Sequence, residues 1–212
     1  NPLEISDVRF RQIQCNLLIK KEIDILIKQT KPTHLIHLAW FVSPGSFWKA
    51  PENIEWLTNS IHLFQAFCAN KGQVFMGAGT LAEYDWRYGV LDESSTSLVP
   101  NSLYGQCKKS LHELLKSIRN TYYPEVKIIW PRIGYFFGEN EPKEKLLSKL
   151  IDHIQKGLPI ELAAPDFERP YAHVHYFGDI ISQILMKKHW DDLTFNMSTS
   201  ISYKIKEIVE KK

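Results

Sequence analysis

The sequence lacks any long apolar run: none of its 212 residues lies in a stretch that approaches the roughly 18 apolar residues of a transmembrane helix. It also lacks a signal-peptide pattern at its start, which favours a cytoplasmic protein. Cysteine occurs only at Cys15, Cys68 and Cys107, and this odd, widely spaced set indicates reduced thiols. These absences argue against a membrane protein and against a disulfide-bonded secreted domain.

An excess of charge of one sign is also missing. The chain has 26 lysine and arginine residues against 24 aspartate and glutamate residues, a formal net charge of +2. This balance argues against nucleic acid or an anionic membrane as the main partner. Hydrophobic residues make up 44% of the chain, so we expect one well-buried globular domain, or one domain with a small lobe.

Strand-like and helix-like segments alternate along the chain. Apolar spacing predicts helices over 22–29, 51–70, 102–121, 142–156, 178–187 and 201–210. Short apolar runs predict strands over 33–39, 73–76, 126–130, 158–162 and 171–174. Strands separated by helices indicate an α/β fold with a doubly wound, mainly parallel sheet. The chain changes character after Gly138, which predicts a main domain over 1–138 and a small lobe over 139–212, with some lobe segments returning to the main sheet.

Ligands of such folds bind at the carboxyl ends of the strands. The predicted strands end near Ala39-Trp40, Gly79-Thr80 and Pro131-Arg132. We therefore expect these three segments to line one crevice, with the small lobe over it.

Tyr104 and Lys108 carry the strongest chemical signal. Positions i and i+4 share a helical face, so the phenol and the ammonium point into the same space. A nearby cation lowers the pKa of a tyrosine, which lets the phenol exchange a proton with a substrate hydroxyl near neutral pH. Tyr123 and Lys127 have the same spacing, but Pro124 and the following strand keep them off a shared helical face. Spacing alone is therefore weak, and a packed tyrosine beside a solvated lysine is the commoner arrangement.

Two strand ends add to this signal. Gly77 and Gly79 are small residues that would let a bulky cofactor approach the backbone, and Thr80 follows them directly. The Thr80 hydroxyl can hydrogen-bond a reacting oxygen and polarise a carbonyl. Ala39 again permits close approach before Trp40. Taken singly, the segment with Gly77 and Gly79 is better interpreted as a glycine-rich turn, and the segment with Ala39 is better interpreted as part of the core.

In this order, the segments resemble the extended short-chain dehydrogenases, the NAD-dependent epimerase/dehydratase group that modifies nucleotide sugars. THLIHLAW resembles the strand whose end packs along the dinucleotide. MGAGTLAEYDW resembles the strand that supplies the catalytic Ser or Thr, here Thr80, and LYGQCK resembles the catalytic Tyr-x-x-x-Lys, here Tyr104 and Lys108. The match runs from about Cys15 to Asn196. It implies a Rossmann-like fold, NAD or NADP, a nucleotide-sugar substrate and a homodimer that pairs through the helices over 51–70 and 102–121.

The resemblance also assigns binding residues. PRIGYFFG resembles the strand end that flanks nicotinamide and sugar, and RPYAHVHYFGD resembles the substrate-lobe strand whose arginine meets the diphosphate. The implied cofactor-binding residues are Asn16, Leu17, Leu38, Ala39, Trp40, Asn59, Gly79, Tyr104, Lys108, Pro131 and Ile133. The implied substrate-binding residues are Thr80, Leu81, Tyr135 and Arg169. No metal site is expected, because further ligands that would complete a set of four are missing around His34 and His37 and around His173 and His175.

The sequence departs from the family in three places. Its ten glycines form neither G-x-x-G-x-x-G nor G-x-G-x-x-G, the loop that cradles the pyrophosphate. We therefore expect the first βαβ unit, which also selects NAD or NADP, to be missing, so that 1–138 is a partial dinucleotide-binding domain. Asn16 stands where the family commonly has an aspartate that accepts a hydrogen bond from adenine. Trp40 replaces the usual small residue after His-Leu-Ala and indicates a reshaped pocket wall.

The residues after Thr80 reduce the number of reaction types that the family resemblance leaves open. The family's dehydratases have an Asp-Glu pair there, whereas this chain has Leu81-Ala82. GTLAEYDW, HLAW and Phe47-Trp48 resemble bacterial sugar-nucleotide 4-ketoreductases, which predicts reduction of a 4-keto-deoxysugar nucleotide. A nucleotide-sugar 4-epimerase is the alternative within the family. A catalytically inactive, cofactor-binding sensor or scaffold is the alternative of another class, favoured by the absent glycine loop and disfavoured by the retained Thr-Tyr-Lys set.

Overall fold

Helices and strands alternate along most of the computed structural model, which describes residues 7, 9–187 and 189–210. The helices are α1 (Lys20–Thr30), α2 (Glu52–Ala69), α3 (Leu103–Tyr122), α4 (Leu146–Lys156), α5 (Val174–Leu185) and α6 (Ile205–Glu210). The strands are β1 (His34–His37), β2 (Val74–Gly77), β3 (Gly79–Thr80), β4 (Lys127–Ile133), β5 (Tyr135–Phe137), β6 (Glu168–Arg169), β7 (Tyr171–His173), β8 (Leu193–Met197) and β9 (Tyr203–Lys204). None of the described helices combines the length and the apolar character that crossing a membrane requires. The predicted domain limits at residues 1 and 212 lie outside the described residues.

The main sheet is parallel and runs in the order β1-β2-β4-β8. β3 continues the line of β2 along the same side of β4, because Val74 pairs with Lys127 and Gly79 pairs with Arg132 in the same register. A single residue, Ala78, separates the two strands. This sheet confirms the predicted doubly wound, mainly parallel α/β fold.

Helices cover both faces of the main sheet. On one face, α2 and α3 pack around Phe64, Phe67 and Trp130, which are completely buried. On the other face, α5 packs through Ile181 and Ile184 against side chains of β2, β4 and β8. Each large apolar side chain that is withdrawn from water contributes roughly 1.5–3 kcal/mol, so these two clusters hold the sheet in place.

A small lobe lies beside the carboxyl end of the main sheet. β5 pairs in parallel with β7, and β6 pairs with β9 in antiparallel orientation. Leu147 and Leu150 of α4 pack against Ile205 of α6. The lobe's small sheet begins at Tyr135, a few residues before the predicted boundary at Gly138, and β8 returns to the main sheet beside β4.

Several predicted elements differ from the structure. The predicted strand over 158–162 is wrong: these residues belong to no strand of the described chain and follow Gly157, which ends α4 with φ at 62°. The predicted helix over 142–156 starts only at Leu146. α5 starts at Val174 and not at Gly178, because the His173 ring accepts a hydrogen bond from the His175 backbone N–H and caps the helix.

Gly105 allows α3 to approach the 3₁₀ helix formed by Leu81–Glu83. A Cβ at Gly105 would overlap with the carbonyl oxygen of Ala82. We therefore expect Gly105→Ala to lower the free energy of unfolding by about 1–3 kcal/mol, although alanine by itself favours a helix. Gly178→Ala in α5 is the matched control, because an added Cβ there meets no atom within 4 Å. Urea unfolding measures both variants, and equal stabilities would contradict the close contact.

Candidate active site

A cavity of about 930 Å³ lies between the carboxyl ends of the main-sheet strands and the small lobe. Its volume is in the range of sites that hold small molecules and cofactors. The predicted site residues that line it are Leu38, Trp40, Gly79, Thr80, Leu81, Tyr104, Lys108, Ile133, Tyr135 and Arg169. The predicted residues that do not line it are Asn16, Leu17, Ala39, Asn59 and Pro131.

The residues outside the cavity have contacts of their own. The Asn16 side-chain oxygen accepts a hydrogen bond from Leu18 N at 3.0 Å, and Leu17 packs against the core between α1 and α2. Asn59 donates from Nδ2 to the Glu55 carbonyl at 2.9 Å. Roles in cofactor binding for these residues stay predictions.

Thr80 stands at the end of β3 with its hydroxyl at the cavity wall. Its Oγ1 accepts a hydrogen bond from Ala82 N at 3.2 Å, and its N–H donates to Glu83 Oε1 at 2.9 Å. This reciprocal pair is a capping box that fixes the start of the 3₁₀ helix. Because Oγ1 accepts from Ala82, the hydroxyl hydrogen of Thr80 remains for a second partner.

Tyr104 lies in the first turn of α3, beside Thr80. Its backbone N–H donates to the Trp48 carbonyl at 3.1 Å. The rings of Phe47 and Trp48 meet the Tyr104 ring edge to face, with centroids at 5.0 and 5.8 Å. A hydrogen bond with the Thr80 side chain connects the two hydroxyl groups. The sequence motif therefore places both predicted catalytic hydroxyls together.

Burial keeps Tyr104 protonated. It raises the pKa of the phenol, the hydrogen bond from Thr80 lowers it, and the carboxylate of Glu83 raises it. Lys108 was expected to lower this pKa, but it is not among the groups that shift it. Lys108 Nζ donates to the Ala78 carbonyl oxygen at 2.8 Å. Tyr104 is therefore a proton donor at neutral pH.

Lys108 is buried at the base of the cavity, 3.8 Å from the centre of the Trp40 ring. The indole of Trp40 is fixed in turn, because its Nε1 donates to Asn53 Oδ1 at 2.8 Å. Burial lowers the pKa of Lys108 to about 7, against an opposing effect of Glu83. The predicted reshaped wall at Trp40 is thus the surface on which the lysine rests.

Lys108→Met is expected to stabilise the fold near neutral pH, by about 1 kcal/mol or more, because it removes a buried charge. The pKa of Lys108 is about 7 in the fold and near 10.4 in the unfolded chain, so between these values the unfolded chain binds more protons. Stability of the wild type therefore rises with pH across this window, and the advantage of the variant shrinks. Thermal unfolding from about pH 6 to 10 measures this; a gap between the two melting curves that does not change with pH would contradict it.

A buried ion pair lies behind Thr80, and the sequence analysis missed it. Glu83 is completely buried, and its carboxylate accepts hydrogen bonds from Trp130 Nε1 and Arg132 Nε, each at 3.0 Å. Arg132 also donates to the Tyr84 hydroxyl at 2.8 Å. The only signal in the sequence was a charge at Arg132, two residues after the predicted apolar strand over 126–130. No local pattern pairs it with Glu83.

The small residues before Thr80 also make room for a side chain of the core. A Cβ at either Gly77 or Gly79 would overlap with the indole of Trp130. The glycines therefore make room for a core side chain of the neighbouring strand β4. Gly79 also lines the cavity, so close approach of a ligand on its other side stays a prediction.

Arg169 contributes a positive charge to the opposite wall. Its guanidinium lies 3.5 Å from the ring centre of Phe167, 4.9 Å from that of Tyr135 and 5.3 Å from that of Trp86. Within the described chain Arg169 forms no salt bridge; its guanidinium donates to the Glu168 carbonyl at 2.8 Å and hydrogen-bonds the Tyr135 side chain. Held by aromatic rings and without a carboxylate partner, the guanidinium suits an anionic ligand.

The histidine pairs also have other contacts. His37 is buried, its pKa is lowered to about 3 by burial and by Lys108, and its Nε2 bonds the Ser60 hydroxyl at 2.8 Å. His173 and His175 lie near Glu139, with Nε2 to carboxylate distances of 3.6 and 3.9 Å. Because His173 Nδ1 accepts from the His175 backbone, a neutral His173 carries its proton on Nε2, where a metal would need a lone pair. The absence of a metal site stays a prediction.

The model of the family described as "NAD dependent epimerase/dehydratase family" matches residues 2–197. No curated protein matches the sequence of the chain. Many solved structures share the fold. The UDP-glucose 4-epimerase of Thermus thermophilus, in complex with NAD, is 18% identical with a TM-score of 0.76, over 92% of this chain and 65% of its own.

Two further solved structures have a similar fold at low sequence identity. The UDP-glucose 4-epimerase of Thermotoga maritima, with UDP-glucose, is 16% identical with a TM-score of 0.81, over 93% of this chain and 65% of its own. The UDP-Glc/GlcNAc 4-epimerase of Campylobacter jejuni is 20% identical with a TM-score of 0.79, over 96% of this chain and 68% of its own. The chain therefore spans less than two thirds of the length of the Thermus and Thermotoga enzymes.

Proposed function

Because this chain belongs to the NAD dependent epimerase/dehydratase family, we propose that it is a nicotinamide-dependent oxidoreductase that acts on a nucleotide sugar, and specifically a 4-ketoreductase of a deoxysugar nucleotide. One observation supports this most directly. The hydroxyls of Thr80 and Tyr104 adjoin each other in a cavity that also holds the buried Lys108 and the guanidinium of Arg169. A proton donor, a carbonyl-binding hydroxyl and an anion-binding group are thereby present in one site.

The residues around Lys108 fit the nicotinamide end of NAD or NADP. The buried ammonium can donate to ribose hydroxyls, and Ala78, Gly79 and Ile133 supply a small or apolar wall. The sequence contains no glycine fingerprint to cradle the pyrophosphate, so only this end of the cofactor is assigned to residues. NAD is favoured by the Thermus thermophilus enzyme, which was crystallised with it. When bound, the reduced nicotinamide supplies a hydride.

The proposed reaction converts a 4-keto group to a hydroxyl. As hydride adds to C4, the C4–O double bond opens and its electron pair moves to the oxygen. Tyr104 gives its phenolic proton to that oxygen, and Thr80 donates a hydrogen bond to the same atom. The Tyr104 phenolate then regains a proton from water, beside the cationic form of Lys108. Arg169 pairs with the diphosphate of the substrate.

Three features favour reduction over the other reactions of the family. Tyr104 is held as an acid, which is the form that a one-way reductase needs. Leu81 and Ala82 line the cavity where dehydration would need acidic groups. The apolar rings of Phe47 and Trp48 lie beside Tyr104 and suit a sugar that lacks a hydroxyl group there.

Oxidation of NADH and NADPH by the full-length protein tests this proposal. The assay uses a panel of nucleotide-linked 4-keto-6-deoxysugars and follows the loss of nicotinamide absorbance. We expect substrate-dependent oxidation with at least one member. No oxidation with any 4-keto sugar, in a protein that binds the cofactor, would contradict a ketoreductase.

A 4-epimerase is the second candidate, because the solved structures with the same fold include three UDP-sugar 4-epimerases. Interconversion of UDP-glucose and UDP-galactose without net consumption of NADH would support it. Cofactor binding without turnover in either assay would instead support a sensor or scaffold.

Assembly and location are further proposals. We propose a homodimer that pairs through α2 and α3, where Ile54, Leu114 and Tyr122 are exposed by 54%, 43% and 70%. Sedimentation of the protein would show twice the monomer mass. The three free cysteines agree with the reducing cytoplasm.

A further inference from the structure

We infer that Asn53 is a positioning residue for the catalytic pair. It holds Trp40, on which Lys108 rests, and it holds the Phe47–Trp48 segment, against which Tyr104 packs. The cavity lining formed by the described residues does not include Asn53, which lies in the first turn of α2. The inference rests on the proposed function, because it takes Tyr104 and Lys108 as the groups that act on the substrate.

The side-chain amide of Asn53 is completely buried, and all its polar atoms have partners. Its Nδ2 donates to the Phe47 carbonyl at 2.7 Å and to the Ala50 carbonyl at 2.8 Å. Its Oδ1 accepts from Trp40 Nε1 at 2.8 Å. Turning the amide over would place its NH₂ group against the indole N–H and its oxygen against two carbonyls. Only one orientation therefore satisfies the site, and it fixes three groups at once.

The first branch of this network leads to Lys108. The Lys108 ammonium lies 3.8 Å from the ring centre of Trp40 and donates to the Ala78 carbonyl at 2.8 Å. A buried indole N–H without a partner is unfavourable, so the bond to Asn53 stabilises this one position of the indole. The same bond therefore determines the wall against which the lysine is placed.

The second branch leads to Tyr104. Phe47 and Trp48 lie in a turn before α2, outside any helix or strand. The bond from Asn53 to the Phe47 carbonyl ties this turn to the helix. The turn in turn contacts Tyr104 three times: both aromatic rings meet the phenol ring edge to face, and the Trp48 carbonyl accepts from the Tyr104 N–H at 3.1 Å. Asn53 therefore fixes the surroundings of both catalytic side chains.

Asn53→Ala removes both branches, and Asn70→Ala is the matched control. Asn70 directly follows α2, and its Nδ2 donates to the Ala66 carbonyl at 2.9 Å, so the control also loses a side-chain bond to a carbonyl. We expect kcat of Asn53→Ala, per folded molecule, to fall by about 10- to 100-fold, because small displacements of reacting groups are costly. The KM for the nucleotide sugar should stay unchanged, because Arg169 lies on the opposite wall. Asn70→Ala should keep the wild-type kcat.

Two NMR signals of the full-length protein test the inference without substrate. ¹⁵N-labelled tryptophan reports the Trp40 indole and ¹³C-labelled tyrosine reports the Tyr104 ring, and Trp40→Phe and Tyr104→Phe assign the signals. In Asn53→Ala the Trp40 indole hydrogen should exchange with water about tenfold faster, because its hydrogen bond is lost. The Tyr104 signal should shift, because the aromatic rings around it move. Both signals should stay in place in Asn70→Ala.

Asn53→Asp covers failure of the alanine variant to fold. The carboxyl group has the same shape and keeps an oxygen for Trp40 Nε1, but it has at most one hydrogen to donate to two carbonyls. The Tyr104 signal should therefore still shift, while exchange of the Trp40 indole stays slow. A Tyr104 signal at its wild-type position in a folded Asn53 variant would overturn the inference. Wild-type protein that reduces no keto sugar would count against the proposed function alone.

Discussion

Tyr104→Phe is expected to lower kcat for the reduction by about 10³-fold while it leaves cofactor affinity unchanged. The substitution removes only the phenolic oxygen, which is the proposed proton donor. The ring keeps its edge-to-face packing against Phe47 and Trp48, so the site should retain its shape. Single-turnover kinetics measure the chemical step, and quenching of protein fluorescence by NADH measures binding.

The chain contains its own control for this experiment. Tyr123 has a lysine four residues later, as Tyr104 has, but it follows the last residue of α3 and Lys127 begins β4. Tyr123→Phe should therefore leave kcat at the wild-type value. Turnover by Tyr104→Phe within a few-fold of the control would show that another group protonates the substrate oxygen.

Arg132→Met should have the largest effect on stability. It leaves the completely buried carboxylate of Glu83 without its cation, and breaking such a pair costs about 3–5 kcal/mol. For a chain of this size the melting temperature should fall by roughly 10 °C or more. Thermal unfolding followed by circular dichroism measures the change.

The double variant Glu83→Gln/Arg132→Met is the comparison for that measurement. Removing both charges avoids an unpaired buried ion, so much of the lost stability should return. The two substitutions are in direct contact, and their effects should therefore not add. Additive losses in the double variant would mean that the ion pair contributes little to the fold.

Local patterns predicted where Thr80, Tyr104 and Lys108 lie on their elements, whereas the family resemblance predicted their roles. Tyr104 and Lys108 share one helix face, and Ser102 marks the start of that helix with a side chain that accepts from Gly105 N at 3.1 Å. Thr80 directly ends a strand. Since each of these features is fixed within a few residues, periodicity and capping reveal it.

Contacts between distant segments could not be predicted in this way. Glu83 and Arg132 meet only because β3 and β4 are neighbours, and the space at Gly77 and Gly79 is filled by Trp130 from the adjacent strand. The direction of Lys108 likewise depends on Trp40, which lies on another strand end. Register between strands determines the first two contacts, and packing of α3 against the segment after β1 determines the third. No short sequence pattern encodes either.

Residue propensities also failed to predict the strands correctly where tertiary packing determines the secondary structure. The apolar run over 158–162 resembles a strand, yet its residues pair with no strand of the described chain. β8, whose side chains Phe195 and Met197 pack against the core, has too mixed a pattern to be predicted. Its pairing with β4 stabilises it instead.

The central claim is that Thr80, Tyr104 and Lys108 act on a single carbon beside a nicotinamide ring. Transfer of deuterium from NADH dideuterated at C4 to a 4-keto-deoxysugar nucleotide, followed by NMR of the product, tests it most directly. The account predicts one deuterium at C4 of the sugar with the wild-type protein, and incorporation at the same carbon that is about 10³-fold slower with Tyr104→Phe. Product that carries deuterium at another carbon, or product formed without deuterium, would contradict it.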